Sequence, residues 1–299
     1  MTQQVTHSGF IAVAGRPNAG KSTLINQVVG AHVAIVSPIA QTTRRVVRAA
    51  CTVGASQLVF VDMPGSQKPV DRLTHRMQSA VEHTLGDVDV ALWVVDATEA
   101  PKLGERRVAD LVFGTGVPVV IALNKVDRCT PDVIAGRITE LMEIVQDRPY
   151  HALVPISATT GDGCEDLVRE LSGLLPEGQA WYDETTPTDM RDTERISEYV
   201  REATLLYLRE ELPHATIVEV TELDELDDGS LHIECTIFVE AESQKGIVVG
   251  KGGAMIRQIG IDARARIEAA FSTKAYVGLR VKVRRHWRDD DTWLERSGL

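Results

Sequence analysis

Eight residues, Gly15-Arg16-Pro17-Asn18-Ala19-Gly20-Lys21-Ser22, restrict what this chain can fold into more than any other stretch. Glycine, four residues, then Gly-Lys-Ser is the spacing of a loop that wraps nucleotide phosphates. The apolar run Phe10–Ala14 before it reads as a buried strand, and Thr23–Val29 after it has the spacing of a helix. Such a strand, loop and helix aim successive backbone N–H groups at one centre, and the positive end of the helix stabilises an anion there. In that frame Lys21 brings a mobile positive charge to the outer phosphates. The Ser22 hydroxyl is placed to ligate Mg2+, and Gly15 through Thr23 is the expected phosphate cradle.

The stretches downstream decide which nucleotide. Ala34 to Arg45 is polar, contains Pro38 and has no strand period, so it reads as a mobile loop. A threonine in such a loop can reach Mg2+ only while a terminal phosphate holds it there, and Thr43 is the candidate, with Thr42 the alternative. The strand Leu58–Val61 runs into Asp62-Met63-Pro64-Gly65, where Asp62 would hold Mg2+ through its water shell and the Gly65 N–H would contact the terminal phosphate. Lys21, Thr43 and Gly65 are therefore the expected catalytic groups, and Ser22, Thr43 and Asp62 the expected metal ligands. Val88–Val95 is a further buried strand ending at Asp96, and Val117–Leu123 delivers Asn124-Lys125-Val126-Asp127. The Asp127 carboxylate can accept from both N1–H and the exocyclic amine of guanine, a pairing that adenine cannot make and that contributes about 1–3 kcal/mol. Lys125 would lie along the base and Asn124 would bridge loop to loop. The Ser157-Ala158 pair after Leu153–Ile156 would complete the base pocket, with the Ala158 N–H as a donor to guanine O6. Strands alternating with helical segments such as Arg106–Phe113 and Pro131–Gln146 predict an α/β domain with a mostly parallel sheet and its ligand loops at the strand carboxyl ends.

The chain has 299 residues, room for two ordinary domains, with 43% hydrophobic and 25% charged residues as in soluble globular proteins. Cys51, Cys129, Cys164 and Cys235 lie far apart, which predicts free thiols in a reducing compartment. No His-x-x-x-His pair marks a zinc site, Met1–Ser8 lacks the apolar core of a signal peptide, and no apolar run approaches membrane-spanning length. A cytoplasmic location is the expectation.

The net charge of −11 argues against a nucleic-acid partner only until it is mapped along the chain. Residues 1–178 hold the nucleotide motifs, and 179–191, rich in turn residues and without period, reads as a linker. In 192–299 the charge is segregated: Asp192–Glu242 carries three basic and fifteen acidic residues, net −12, and Lys245–Arg288 carries eleven basic and two acidic, net +9. Inside the basic block, Gly250-Lys251-Gly252-Gly253 fits Gly-x-x-Gly between helical segments. The order helix (Glu194–Glu211), strand (Thr216–Val220), strand (Leu231–Val239), helix, helix (Ala254–Phe271), strand (Ala275–Val283) resembles a type II KH domain, a smaller α+β fold whose glycine loop clamps single-stranded RNA. The resemblance implies RNA contacts from Gly250, Lys251, Gly252, Gly253, Arg257, Lys282, Arg284 and Arg285, with Val248, Ile256 and Ile259 beside the base groove. Trp287 is open to two readings, a stacking contact or a packed strand end.

The ordered set Gly15–Ser22, Thr42-Thr43, Asp62–Gly65, Asn124–Asp127 and Ser157-Ala158 resembles a translation-factor-type GTPase domain. Gly-Arg-Pro-Asn-Ala-Gly-Lys-Ser and Ala-Gln-Thr-Thr-Arg, with the KH-like half, resemble the bacterial Era family. That resemblance implies a GTPase using GTP/GDP and Mg2+, monomeric, that binds small-subunit (16S) ribosomal RNA near its 3′ end and assists assembly of the 30S subunit. Peripheral membrane association is implied by the family alone. Two positions depart from the family pattern: Ser66 stands where a bulky apolar residue is usual, and Met63 where Thr is common. Ser66 leaves the group that orients the attacking water open between a K+ near Asn18 and an internal arginine finger, Arg44 or Arg45. It also keeps open an alternative, an RNA chaperone that nucleotide stabilises with negligible turnover. A third reading is a GTPase with protein partners whose basic face serves a membrane surface.

Overall fold

Apolar runs covered on both faces form the centre of the first half. The computed structural model describes residues 4–37, 39, 42–64 and 70–299. In chain order it forms β1 (His7–Ala14), α1 (Lys21–Val29), β2 (Val47–Val53), β3 (Ser56–Asp62), α2 (Arg72–Leu85), β4 (Val90–Asp96), α3 (Leu103–Phe113), β5 (Val119–Asn124), α4 (Pro131–Val145), β6 (Ala152–Pro155) and α5 (Cys164–Ser172). The sheet order is β2-β3-β1-β4-β5-β6; β2 runs antiparallel to β3 and the other pairs are parallel. Trp93, Val95, Ile121 and Leu123 pack with Ala109, Val112, Leu141 and Val145 of α3 and α4 in one core layer, and Ala12, Val61 and Met63 pack with Val81 in another. This two-sided burial is why these strands read as unbroken hydrophobic runs. Trp93 is fully buried, and truncating such a side chain typically costs about 3–5 kcal/mol. The register pairs Val13 with Asp62 and Asp96 with Asn124, so the motif-bearing ends of these strands lie along one edge of the sheet.

The chain divides into two compact units: Met1–Ala34, Thr43–Gln67 and Met77–Asp189 form the first, and Ile35–Thr42, Lys68–Arg76 and Met190–Leu299 the second. Most of the stretch expected as a linker is strapped to the first unit. The buried Gln57 accepts from Trp181 N–H and Tyr182 N–H (2.7 and 3.0 Å) and donates to Tyr182 O (2.8 Å). Further along, Ala50 N–H donates to Pro187 O, and Thr188 Oγ1 to Arg48 O at 2.7 Å.

The second unit continues with α6 (Asp192–Tyr207), α7 (Leu212–Ala215), β7 (Ile217–Glu225), β8 (Leu231–Val239), α8 (Glu242–Val249), α9 (Ala254–Phe271), β9 (Ala275–Val283) and α10 (Asp291–Arg296). Its sheet order is β7-β8-β9, with β7 antiparallel and β9 parallel to β8. Ile196, Tyr199, Val200 and Ala203 of α6 and Ile259, Ala263 and Ile267 of α9 share its core with the inner face of the sheet. The helix α6 also buries Glu198, Arg201 and Glu202. Arg201 pairs with Glu198 at 2.6 Å and donates to Thr42 O; Glu202 pairs with Arg266 at 3.3 Å and accepts from Val36 N–H at 3.0 Å. Trp287 is fully buried and donates to Ala215 O at 3.1 Å, so of its two readings the packed one holds.

Candidate functional site: a nucleotide pocket and an RNA-facing loop

The glycines of the phosphate loop meet two different demands. A Cβ on Gly15 would stand 2.5 Å from Val94 O, so the loop can lie against β4 only without one. Gly20 has φ +98°, and a Cβ there would strike the Asn124 side chain at 2.2 Å. Lys21 Nζ donates to Gly15 O (3.0 Å) and Arg16 O (3.1 Å), carbonyls that hold the ammonium over the loop. Burial lowers the Lys21 pKa, against the raising effect of the Asp62 and Glu105 charges.

The three expected metal ligands meet. Ser22 Oγ and Thr43 Oγ1 donate to the same atom, Asp62 Oδ2, at 3.0 and 3.1 Å. Asp62 is fully buried at the end of β3, and its Oδ1 has no hydrogen-bond partner among the described residues. An orphaned buried carboxylate oxygen is unfavourable unless a ligand satisfies it. An all-oxygen donor set suits a hard cation, so these residues fit Mg2+. Burial pushes the Asp62 carboxyl above its ordinary range; Lys21 and the two hydroxyls pull it part of the way back. Gly65 and Ser66 lie outside the described residues. Met63 is buried, and Arg44 is buried with Arg45 half-buried, so neither arginine is a solvated side chain.

Asn124 bridges the loops. Its Nδ2 donates to Ala19 O at 2.8 Å, and its Oδ1 accepts from Lys125 N–H at 2.8 Å and Ala158 N–H at 2.9 Å. One amide therefore ties the phosphate loop, the base loop and the Ser157-Ala158 loop. The Ala158 N–H, the expected donor to guanine O6, is thus turned toward the Asn124 side chain in this structure. Lys125 adopts φ +68°, its ammonium held by Asn18 O at 2.7 Å and Asp96 Oδ2 at 2.5 Å. Asp127 is exposed and open to accept from a base, and Ser157 is fully buried.

Asp96, which closes β4, holds Lys125 in the base loop, a contact that its place at a strand end does not announce. Burial works against its charged form, yet the Lys125 ammonium and the Thr98 donors outweigh it and hold its carboxyl below the ordinary value. The available signal was an acidic residue closing an otherwise apolar strand. Arg16 is at the loop, but its side chain turns to Glu99 (3.4 Å) and Glu105 (3.6 Å).

In the second unit, Gly250 (φ +73°) leaves room for Met255, whose Cβ a side chain would meet at 2.6 Å. Gly252 (φ +60°) and Gly253 (φ +79°) face open space, so it is their backbone conformation that calls for glycine. Lys251 and Arg257 are exposed, as are Lys282 and Arg285 on and beyond β9. A groove of 490 Å³ lies between α9 and β9, lined by Ile256, Arg257, Gly260, Arg264, Tyr276 and Leu279 among others. Of the apolar residues expected there, Ile256 lines it, whereas Val248 and Ile259 are fully buried in the core. Arg284 pairs with Asp290 at 2.6 Å and stacks over Trp293, 4.9 Å from the ring centre.

A phosphate loop, a magnesium-ready carboxylate and a guanine loop on one sheet edge, followed by a Gly-x-x-Gly fold, define a GTPase joined to a KH domain. Residues 10–125 match a family described as 50S ribosome-binding GTPase, and residues 211–288 match the KH domain. The chain is 40% identical over 298 residues to GTPase Era of Lactobacillus helveticus, covering 100% of this chain and 98% of that one. To GTPase Era of Geobacter metallireducens it is 38% identical over 300 residues, covering 100% and 99%. A crystal structure of Era in complex with MgGDPNP and nucleotides 1506–1542 of 16S ribosomal RNA superposes with a TM-score of 0.91 at 32% identity, covering 98% of this chain and 99% of that one. An Aquifex aeolicus Era variant bound to GDP.AlF4- does so with the same score, identity and coverage. The chain belongs to the Era family of GTPases. Among the described residues, no helix is long and apolar enough to cross a membrane.

Proposed function

We propose that this protein is a GTP-hydrolysing switch that binds 16S ribosomal RNA near its 3′ end and assists assembly of the small ribosomal subunit. The GTPase part is residues 1–178 and the RNA-binding part 192–299. One observation carries the reading: the fully buried Asp62 Oδ1, without a hydrogen-bond partner among the described residues, with Ser22 and Thr43 on its sister oxygen, in a chain that also exposes a Gly-x-x-Gly loop beside a basic groove. The superposable relative solved with MgGDPNP and 16S nucleotides supports both halves.

In this reading Lys21 leaves the Gly15 and Arg16 carbonyls for the outer phosphates, and Asp127 selects guanine. Ser22, Thr43 and Asp62 hold Mg2+, which when bound neutralises charge on the phosphate oxygens. Gly65 reports the terminal phosphate. The remaining fixed charge would come from a K+ held near Asn18 or, alternatively, from Arg44 or Arg45 as an internal finger; an unchanged turnover when Na+ replaces K+ would remove the ion from the mechanism. The backbone of Gly250–Gly253 clamps the RNA strand, while Lys251, Arg257, Lys282 and Arg285 neutralise its phosphates. The protein works in the cytoplasm, and its basic face is the surface by which it would touch a membrane. The test is the affinity for a fragment of the small-subunit RNA 3′ end, with GTP analogue and with GDP, alongside binding to anionic liposomes. Equal RNA affinities in the two nucleotide states would contradict the switch. Liposome binding lost with Arg285→Ala while RNA binding persists would move the basic face to the membrane.

A further inference from the structure

The phosphate loop is gripped from outside by a group that belongs to none of the nucleotide motifs. Glu105, in the first turn of α3, is only 2% exposed. A carboxylate is costly to bury unless donors and an opposite charge compensate it. Two groups do so. The indole N–H of Trp93, itself fully buried in β4, donates to Glu105 Oε2 at 3.3 Å. Arg16 Nη1 lies 3.6 Å from Glu105 Oε1 and donates to Glu99 at 3.4 Å. A methyl group built on Gly104 would stand 3.0 Å from Arg16 Nε and 3.1 Å from its Cδ, so the arginine runs across the bare backbone of α3. The main chain of the same residue makes the phosphate loop: its carbonyl accepts from Ala19 N–H at 3.2 Å and from Lys21 Nζ at 3.1 Å.

We propose that Glu105 is a positioning residue for nucleotide binding, holding Arg16 across Gly104 and thereby fixing the phosphate loop in its binding shape. This rests on the reading of Gly15–Ser22 as the phosphate cradle. The Glu105 charge also favours the charged form of Lys21. Because the loop shape serves GDP and GTP alike, its loss weakens ground state and transition state together and leaves kcat in place.

The test uses the full chain with Mg2+. Dissociation constants for GDP and a non-hydrolysable GTP analogue, kcat, KM and thermal melting are measured for Glu105→Gln, Arg16→Ala, the double variant and Gly104→Ala. Glu105→Gln should raise both dissociation constants about tenfold, with kcat within about twofold of wild type. The double variant should bind no more weakly than Arg16→Ala alone, since the glutamate acts through the arginine. Gly104→Ala keeps Glu105 and favours the helix, so it should melt no lower than wild type and yet bind both nucleotides more weakly. Wild-type affinity in Glu105→Gln, additive losses in the double variant, or wild-type affinity in Gly104→Ala beside a weak Arg16→Ala would each overturn the proposal. Failure of the wild type to bind GDP would overturn the cradle reading instead.

Discussion

Polar and charged groups are handled in opposite ways at the nucleotide pocket and at the Gly250–Gly253 loop. In the pocket, Asp62, Asn124 and Glu105 are buried, and each is bonded to groups from other elements. At the loop, Lys251, Arg257, Lys282 and Arg285 are exposed, with no ion-pair partner among the described residues. The first arrangement is preorganised: its desolvation cost is met on folding, and a single deletion disturbs several loops. The second stays hydrated until RNA arrives, and each cation then contributes a modest, salt-dependent share. The pocket should fail steeply under single substitutions, and the RNA face gradually.

The steepest case is Asp62→Asn. Mg2+-dependent phosphate release should fall at least about 100-fold, as when a group stabilising transition-state charge is lost. The same change should raise the melting temperature of the nucleotide-free protein at neutral pH. The sign follows from the raised carboxyl. Between the ordinary carboxylate value and the raised one, the folded state binds more protons than the unfolded state, so stability falls as pH rises through that window. Asparagine removes that loss. Melting curves across the window, flat in the variant and sloping in the wild type, check it.

Next is Asn124→Ala, which deletes the tie among three loops. Affinity for GDP, measured by titration calorimetry, should fall about 10- to 100-fold, because the backbone groups it leaves behind are buried and unpaired. A variant that binds GDP normally would mean that the loops hold one another without it, and the contrast between the regions would weaken.

Smaller effects belong to the RNA face. Arg257→Ala, Lys282→Ala and Arg285→Ala should each weaken binding of the RNA fragment about three- to fivefold and lower the salt slope by about one. Arg284→Ala should change RNA affinity least, less than about twofold, because its guanidinium is already engaged by Asp290 and Trp293. It should instead lower the melting temperature. A salt slope that dropped equally for Arg284 would show that those contacts open on binding.

What was legible in the sequence follows the same division. Phosphate loop, Asp62, Asn124–Asp127 and the Gly-x-x-Gly loop are local signals, a spacing placed after a strand or between helices, and the fold carries each to its expected place. Groups whose meaning lies in a distant partner were not legible. Asp96 meets Lys125, Glu105 meets Arg16 and Trp93, and Gln57 meets Tyr182, and no local pattern announces any of these pairs. The stretch after Pro176 has a linker's composition, yet its backbone groups find Gln57 and Ala50 and its Thr188 hydroxyl finds Arg48. Val248 and Ile259 illustrate a further limit: apolar residues beside a binding loop look alike in sequence whether they line the groove or fill the core.

The most direct test of a coupled GTPase switch is GTP hydrolysis by wild type and Lys21→Ala, each with and without a fragment of the small-subunit RNA 3′ end. Turnover that the RNA stimulates, and that the variant loses, is the expected result. RNA binding with no turnover above background in the wild type would contradict it and leave a nucleotide-stabilised chaperone, with Ser66 as the residue to explain.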